Sequence, residues 1–450
     1  MKKLLIALLV LGLIAPGMAM AQDLEQRVDR LEENMQEFTK QGMKLKETVI
    51  GMKKFGFHFY GSLRTHLGYY DVDQEYSGGL KNDGTIGNSW DDDSGTTLSV
   101  GSQSRFGAKA IASENFYGVL EFGLEETDRD GQTNDTYLRL AYGVWDFGSG
   151  ELMVGKNYTP ATYLGYSSFI GDVGAGGDAN LLVSGLPFVS RQPLIELQFG
   201  DFEFALIEPY TEATDYSDSQ YIGGLAGGAA VTPNTDVDFK IPRIEVAHVF
   251  RLNDNNLRIR PVAGYQTYDV ETDTGVDESI DSWLVGLGAS ADFGPAYVKA
   301  TVSYFQNPGN YGQVNTVNVA FREATVDGDG DINDADAIQG TLAVGFKAND
   351  MVTLEAGGSY QGSEVDSPEF TYPEGTPLAG QTVYADEGEQ TGYLYYAQAW
   401  ISLNENVHII PEIGIVDRDE VEYSGVPGVG TVKSDLGKMS YFDVCFRMDF

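Results

Sequence analysis

From Phe55 to the terminal Phe450, apolar and polar residues take turns with a period of two, and the chain does not return to helical spacing in that span. It even stops in this mode. In YFDVCFRMDF, residues 441–450, Phe442, Val444, Phe446, Met448 and Phe450 fall on one face of a strand, and Tyr441, Asp443, Cys445, Arg447 and Asp449 fall on the other. One face expects apolar surroundings and the other expects water. A strand that ends a chain is an open edge of unpaired N–H and C=O groups unless another part of the chain pairs with it. The ending therefore demands a distant partner.

Sixteen alternating segments can be marked, near 55–70, 97–112, 115–126, 135–146, 150–158, 191–199, 201–208, 240–250, 256–269, 280–292, 295–306, 338–347, 351–362, 391–404, 406–418 and 437–450. Short turns such as ASEN (112–115), DFGSGE (146–151), DFGPA (292–296) and KAND (347–350) alternate with long polar loops, among them 71–96, 159–190, 209–239 and 307–337. Short connections at one end and long ones at the other are the habit of outer-membrane barrels. Inside lipid every backbone polar group needs an internal partner, so strands span only as a closed cylinder. Closure supplies the missing partner: segment 437–450 is expected to pair with the strand beginning at Phe55, placing Phe450 in an aromatic girdle at the membrane interface. The 26 tyrosines and 23 phenylalanines, frequent near strand ends, supply the rest of that girdle. Pro261 and Pro411 each lack a ladder N–H and are expected at bulges or strand ends. The fold class expected is thus all-β, a transmembrane antiparallel barrel of 16 strands over residues 54–450.

The first 53 residues differ. Residues 1–21 carry Lys2 and Lys3, an apolar run from Leu4 to Ile14 and the small-x-small site Ala19-Met20-Ala21, which reads as a signal peptide. In 22–53, Leu24, Val28, Leu31, Met35 and Phe38 are spaced as a heptad seam, so a short periplasmic coiled coil is expected. No later segment reaches the roughly 18 apolar residues of a membrane helix. The single cysteine, Cys445, excludes an intramolecular disulfide. A net charge of -38 argues against nucleic acid as a partner and suits a surface that holds divalent cations.

The stretches SRFGAKA (104–110), FGSGELMVGKNYTP (147–160), VSRQPLIELQF (189–199) and the terminal aromatic strand, in that order and spacing, resemble the trimeric, sixteen-stranded general diffusion porins of Gram-negative outer membranes. The resemblance implies a water-filled channel for passive diffusion of small hydrophilic solutes and ions. It implies a homotrimer set in outer-membrane lipid and lipopolysaccharide, with the N-terminal segment in the periplasm. It also implies that the third long loop folds inward and sets acidic residues opposite a basic cluster on the wall. Carried over by motif, that cluster is Arg105, Lys156 and Arg191, and the loop side falls to Asp172 and Asp178, the loop's only carboxylates. Strand parity, read independently, turns Arg105 and Lys109 inward beside Phe106 and Ala108, places Lys156 inward from Leu152 and Val154, and sends Arg64 to the lumen between Leu63 and Thr65. Inward is the better place, since a cation at the lipid midplane costs about 2–4 kcal/mol. Arg243, Glu245, Arg258, Arg260, Lys299 and Glu355 add lumen charges of both signs, so no strong ion preference follows from the cluster.

One loop carries a separate signal. In TVDGDGDINDAD, Asp327, Asp329, Asp331, Asn333 and Asp336 alternate in the manner of an EF-hand or dockerin calcium loop, with Gly330 at the turn and Thr325 where an acid is usual. No cofactor is required for the expected function, and calcium is the one candidate ligand. Other readings stay open: a substrate-specific channel, which would want an aromatic track, and a tether from membrane to cell wall through the N-terminal helix. Four histidines (58, 66, 248, 408) without a nucleophile motif argue against an enzyme.

Overall fold

The computed structural model describes residues 56–73, 93–101, 103–125, 135–162, 185–209, 235–272, 277–313, 320–326, 332–371 and 380–450. The leader, the heptad seam from Leu24 to Phe38, and Asp172 and Asp178 lie outside the described residues.

Sixteen antiparallel strands close into a barrel. They are β1 (Gly56–Asp73), β2 in two pieces (Asp93–Val100 and Arg105–Ser113), β3 (Phe116–Glu125), β4 (Asp135–Asp146), β5 (Glu151–Tyr158), β6 (Arg191–Phe199), β7 (Phe202–Ile207), β8 in three pieces (Thr235–Asp238, Arg243–His248 and Phe250–Leu252), β9 (Leu257–Thr272), β10 (Asp277–Phe293), β11 (Ala296–Gln306), β12 (Ala335–Lys347), β13 (Val352–Asp366), β14 (Glu387–Ser402), β15 (Val407–Asp417) and β16 (Lys438–Asp449). Each pairs with its neighbour in sequence, and β16 pairs with β1 from Ser62↔Asp449 to Asp73↔Lys438. The terminal strand is not an edge. Beyond the ladder, Gly61 and Phe450 exchange backbone hydrogen bonds of 2.8 and 3.1 Å. A Cβ on Gly61 would sit 2.3 Å from the Phe450 ring, so any larger residue there must displace that ring.

Period two explains the cross-section. On β16, Phe442, Phe446 and Met448 are exposed on the outside, whereas Tyr441, Asp443 and Cys445 are buried on the inside. The outer band repeats this at Phe59, Leu120, Val285, Leu342 and Ile413. The turn end is ringed by Phe116, Trp145, Phe199, Phe293 and Phe346, and the loop end by Tyr69, Tyr265 and Tyr395, all exposed. Such rings suit the two membrane interfaces, where an apolar body meets water at one edge. Because Leu342 is 56% exposed on this face, Leu342→Arg is expected to cost about 2–4 kcal/mol. Denaturant titration of folding into lipid vesicles reads that loss, and Thr341→Arg on the adjacent inward position is expected to cost less.

The prolines correct one expectation. Pro261 and Pro411 lie within β9 and β15, paired with Leu287 and Val444 on one side. The missing N–H is accommodated on the other side, where the ladder skips: β8–β9 pairing stops between Ala247↔Val262 and Phe250↔Ile259, and β14–β15 pairing stops between Gln398↔Glu412 and Ile401↔Ile409. Neither position is a strand end, and no register shift accompanies either gap.

At the loop end the hairpin Glu420–Val426 with Gly430–Asp435 lengthens the wall by pairing with Glu387–Gln390 of β14. Its apolar side, Val421, Tyr423 and Val426, packs with Phe370, Ala385 and Leu436.

Candidate functional site

The lumen has two unlike halves, and the strands explain each. On the side of β2 to β6 it is basic. Arg105 faces inward at the start of the second piece of β2, opposite Gly123, and its guanidinium stands 3.6 Å from Glu121. Glu121 also accepts from Arg139 at 2.9 Å. Arg139 reaches this point because β4 carries a bulge: Glu121 pairs with Leu140 and Phe122 with Leu138, which leaves Arg139 as the extra residue. A bulge re-aims a side chain, and this one is only 1% exposed. It donates further to the Tyr137 hydroxyl (3.0 Å), Gln103 Oε1 (3.0 Å) and the Tyr158 hydroxyl (3.4 Å). Arg191, the first residue of β6, lies over the Tyr158 ring at 5.1 Å and donates to its hydroxyl at 3.5 Å. Arg64 is buried alongside, where the interruption of β2 at 101–104 crosses it: Gly101 N–H donates to the Arg64 carbonyl at 2.9 Å, and Arg64 N–H donates to Ser104 Oγ at 2.9 Å.

Lys156 does not join them. It pairs with Ala141 and Pro193, between Val154, which is about half exposed, and Tyr158, which faces the lumen opposite Arg191. Gly155, with a φ of 136°, lies where the alternation breaks. Among the described residues, the arginines gathered around Glu121 and Tyr158 are Arg105, Arg139 and Arg191. Arg139 was missed, although a lone cation between two leucines in TYLRLAY was a readable signal.

On the side of β8 to β12 the inner wall is partly apolar. Ala247, Val262, Leu284 and Phe305, from four successive strands, form a patch covered by Leu186, Phe188 and Val189 of the third loop and Tyr311 of the sixth. The limb Gly185–Ser190 reaches across to β12, where Gly185 lies against the Gly340 backbone. The start of the same loop is tied to the wall as well. Ala161 N–H donates to Glu245 Oε2 at 2.8 Å, and Arg260 donates to the Pro160 carbonyl at 3.0 Å while gripping Glu203 at 2.6 and 3.2 Å. Glu245 Oε1 accepts from the Tyr311 hydroxyl at 3.0 Å and lies 3.5 Å from Arg243, whose guanidinium caps the Tyr311 ring. Burial, with the nearby Glu245 charge, pushes the Tyr311 phenol well above its ordinary range, which keeps it a donor.

Elsewhere three of the lumen acids are matched to donors. Glu355 accepts from Tyr297 (2.6 Å), Tyr396 (2.8 Å) and Gln398 (3.0 Å) and lies 3.5 Å from Lys299; Asp443 lies 2.6 Å from His66; Glu412 accepts from Tyr441 at 2.7 Å. Towards the turn end two recesses of about 440 and 490 Å³ open on either side of Arg258, one beside Lys299 and Trp400, the other beside Glu196 and Arg260.

Of the acidic loop, Asp327, Asp329 and Asp331 lie outside the described residues. Asn333 pairs with Thr325 in a two-stranded hairpin, whereas Asp336 has entered β12 opposite Gln306.

A closed barrel, greasy outside and charged and polar inside, is the architecture of an outer-membrane channel. The chain belongs to the Gram-negative porin family, whose model matches residues 7–365. It forms a passive-diffusion channel in the outer membrane. Its fold is similar to the outer-membrane channel DcaP of Acinetobacter baumannii, at 13% identity and a TM-score of 0.57 over 89% of this chain and 99% of that one. The trimer form of OmpT from Vibrio cholerae (15% identity, TM-score 0.49, 88% and 100%) and an anion-selective porin from Comamonas acidovorans (13%, 0.49, 88% and 100%) are also similar. No curated protein is significantly similar in sequence.

Proposed function

We propose that the channel is narrowed between the basic ladder of Arg105, Arg139 and Arg191 and the loop residues docked on the opposite half of the wall, and that this ladder favours anions. The observation that carries the reading is stoichiometric: two guanidiniums converge on the single carboxylate of Glu121, and the third rests on a phenol. A locally positive wall concentrates anions and orients dipolar solutes, whatever the net charge of the exposed loops. The chain carries out no chemical step, and Asp172 and Asp178 stand as the loop's contribution to the far side of the field.

We further infer a homotrimer whose N-terminal heptads meet in the periplasm, with lipopolysaccharide around the loop end of the barrel. The narrow seam of Leu24, Val28, Leu31, Met35 and Phe38 supports it, since oligomeric coiled coils are built on such seams. Planar-bilayer recording tests both parts: closing in three equal steps and a reversal potential on the anion side of a salt gradient are expected. Single-step closure removes the trimer, and a cation-side potential removes the ladder as the selectivity element.

A further inference from the structure

The sixth loop enters the lumen. Its arc from Asn307 to Gln313 is buried throughout and lies on the inner faces of β9 and β12: Gln266 donates to the Asn310 carbonyl at 2.8 Å, Asn310 donates to the Tyr268 hydroxyl at 2.8 Å, and Gln313 donates to Gln339 Oε1 at 2.6 Å. Both flanks are fastened. Asn307 Oδ1 accepts from Ala335 N–H at 2.7 Å, and Arg322 returns to the Gln313 carbonyl. The arc is therefore held independently of the third loop, and the third loop leans on it. Gln313 Nε2 also donates to the Leu186 carbonyl at 3.2 Å, while Tyr311 seals the apolar patch that Leu186, Phe188 and Val189 cover.

We propose that the sixth-loop arc is a positioning element for the channel, with Tyr311 and Gln313 holding the third-loop limb Gly185–Ser190 against the wall so that two loops fix the bore. The inference rests on the lumen reading above. Three features make this more than incidental packing. An apolar patch on four adjacent strands is out of place in a water-filled lumen, and covering it is favourable only while the limb stays down. Glu245 ties the arc and the start of the third loop to one carboxylate, through Tyr311 and Ala161. Gly264 leaves the space that the Tyr311 hydroxyl occupies, since a Cβ there would lie 2.0 Å from it. A limb that loses these holds is free to move into the conducting space.

The test compares Tyr311→Ala and Gln313→Ala with the wild type by single-channel recording and by liposome swelling with graded neutral sugars. Open-channel current noise is expected to rise at least about three-fold, mean conductance to fall to roughly half, and the largest admitted sugar to become smaller, with Tyr311→Phe intermediate. Wild-type noise, conductance and sugar limit in both alanine variants, folded as judged by heat-modifiable gel mobility, overturn the proposal. If Tyr311→Ala does not fold, Gln313→Ala decides, because it deletes one amide from a polar contact and no ring from the apolar cluster. A silent wild type would instead remove the channel reading itself, which keeps the two failures apart.

Discussion

Replacing Arg105 and Arg191 by glutamine moves the reversal potential in a salt gradient towards the cation side, with the anion-to-cation permeability ratio falling about five-fold. Each charge acts on a passing ion across roughly 8 Å of water-rich space, where one unit charge is worth about 0.5 kcal/mol and is partly screened by salt. Because each charge attracts the anion and repels the cation, two of them shift the ratio by about 2 kcal/mol unscreened and by about 1 kcal/mol with screening, against about 1.4 kcal/mol for a factor of ten. Glu121 and Arg139 remain paired in this variant, so the barrel is expected to fold normally. Arg139→Gln behaves differently. Removing it takes the closer partner from a carboxylate that is only 5% exposed and leaves Arg105 alone at 3.6 Å, so the cost is expected to fall below the roughly 3–5 kcal/mol of a fully broken buried pair. Its effect therefore appears first in folding yield, and the neutral pair Arg139→Gln with Glu121→Gln recovers it. An unchanged reversal potential in the double variant of Arg105 and Arg191 would show that selectivity is set elsewhere.

Deleting Phe450 is expected to lower barrel stability by about 3 kcal/mol and to cut the folded fraction in vesicles steeply. The residue closes the cylinder: it exchanges two backbone hydrogen bonds with Gly61, each worth about 0.5–1.5 kcal/mol net in water and more where lipid offers no replacement. Its ring lies over the space that the missing Gly61 side chain leaves. Phe450→Tyr keeps the ring and the backbone and is expected to stay near wild type, whereas Gly61→Val is expected to reproduce the deletion from the other side. Heat-modifiable mobility on gels after vesicle folding measures all three, and full folding of the deletion would mean that the ladder from Ser62 to Asp73 suffices without its last rung.

Sixteen strands, their order and the closing pair were all legible before any coordinate, because a membrane leaves a strand so few choices. Lys156 shows where alternation gives out: Gly155, at a φ of 136°, interrupts the pleat, so Val154 faces outward while Tyr158 and Arg191, in step with it, face the lumen. Arg139 was legible only in part, as a lone cation between leucines and not as a partner of Glu121. A bulge inserts one residue into β4, and no periodicity in TYLRLAY announces where a register slips. The inward position of Pro160, Ala161 and the limb from Gly185 was suggested by resemblance alone, and the arc QNPGNYGQ reads in sequence as an ordinary polar loop.

The sequence by itself determined whatever depends on alternation and on the cost of unpaired backbone in lipid: the all-β barrel, its lipid face, its aromatic rims and the partner of its last strand. These follow from local pattern and a solvent-wide constraint. Only the tertiary structure decided which lumen charges meet. Whether Arg105 and Arg139 share Glu121, and whether Tyr311 finds Glu245 across a separation of 66 residues, depends on shear, bulges and loop paths that bring distant side chains into contact, and a one-dimensional period carries no such distances.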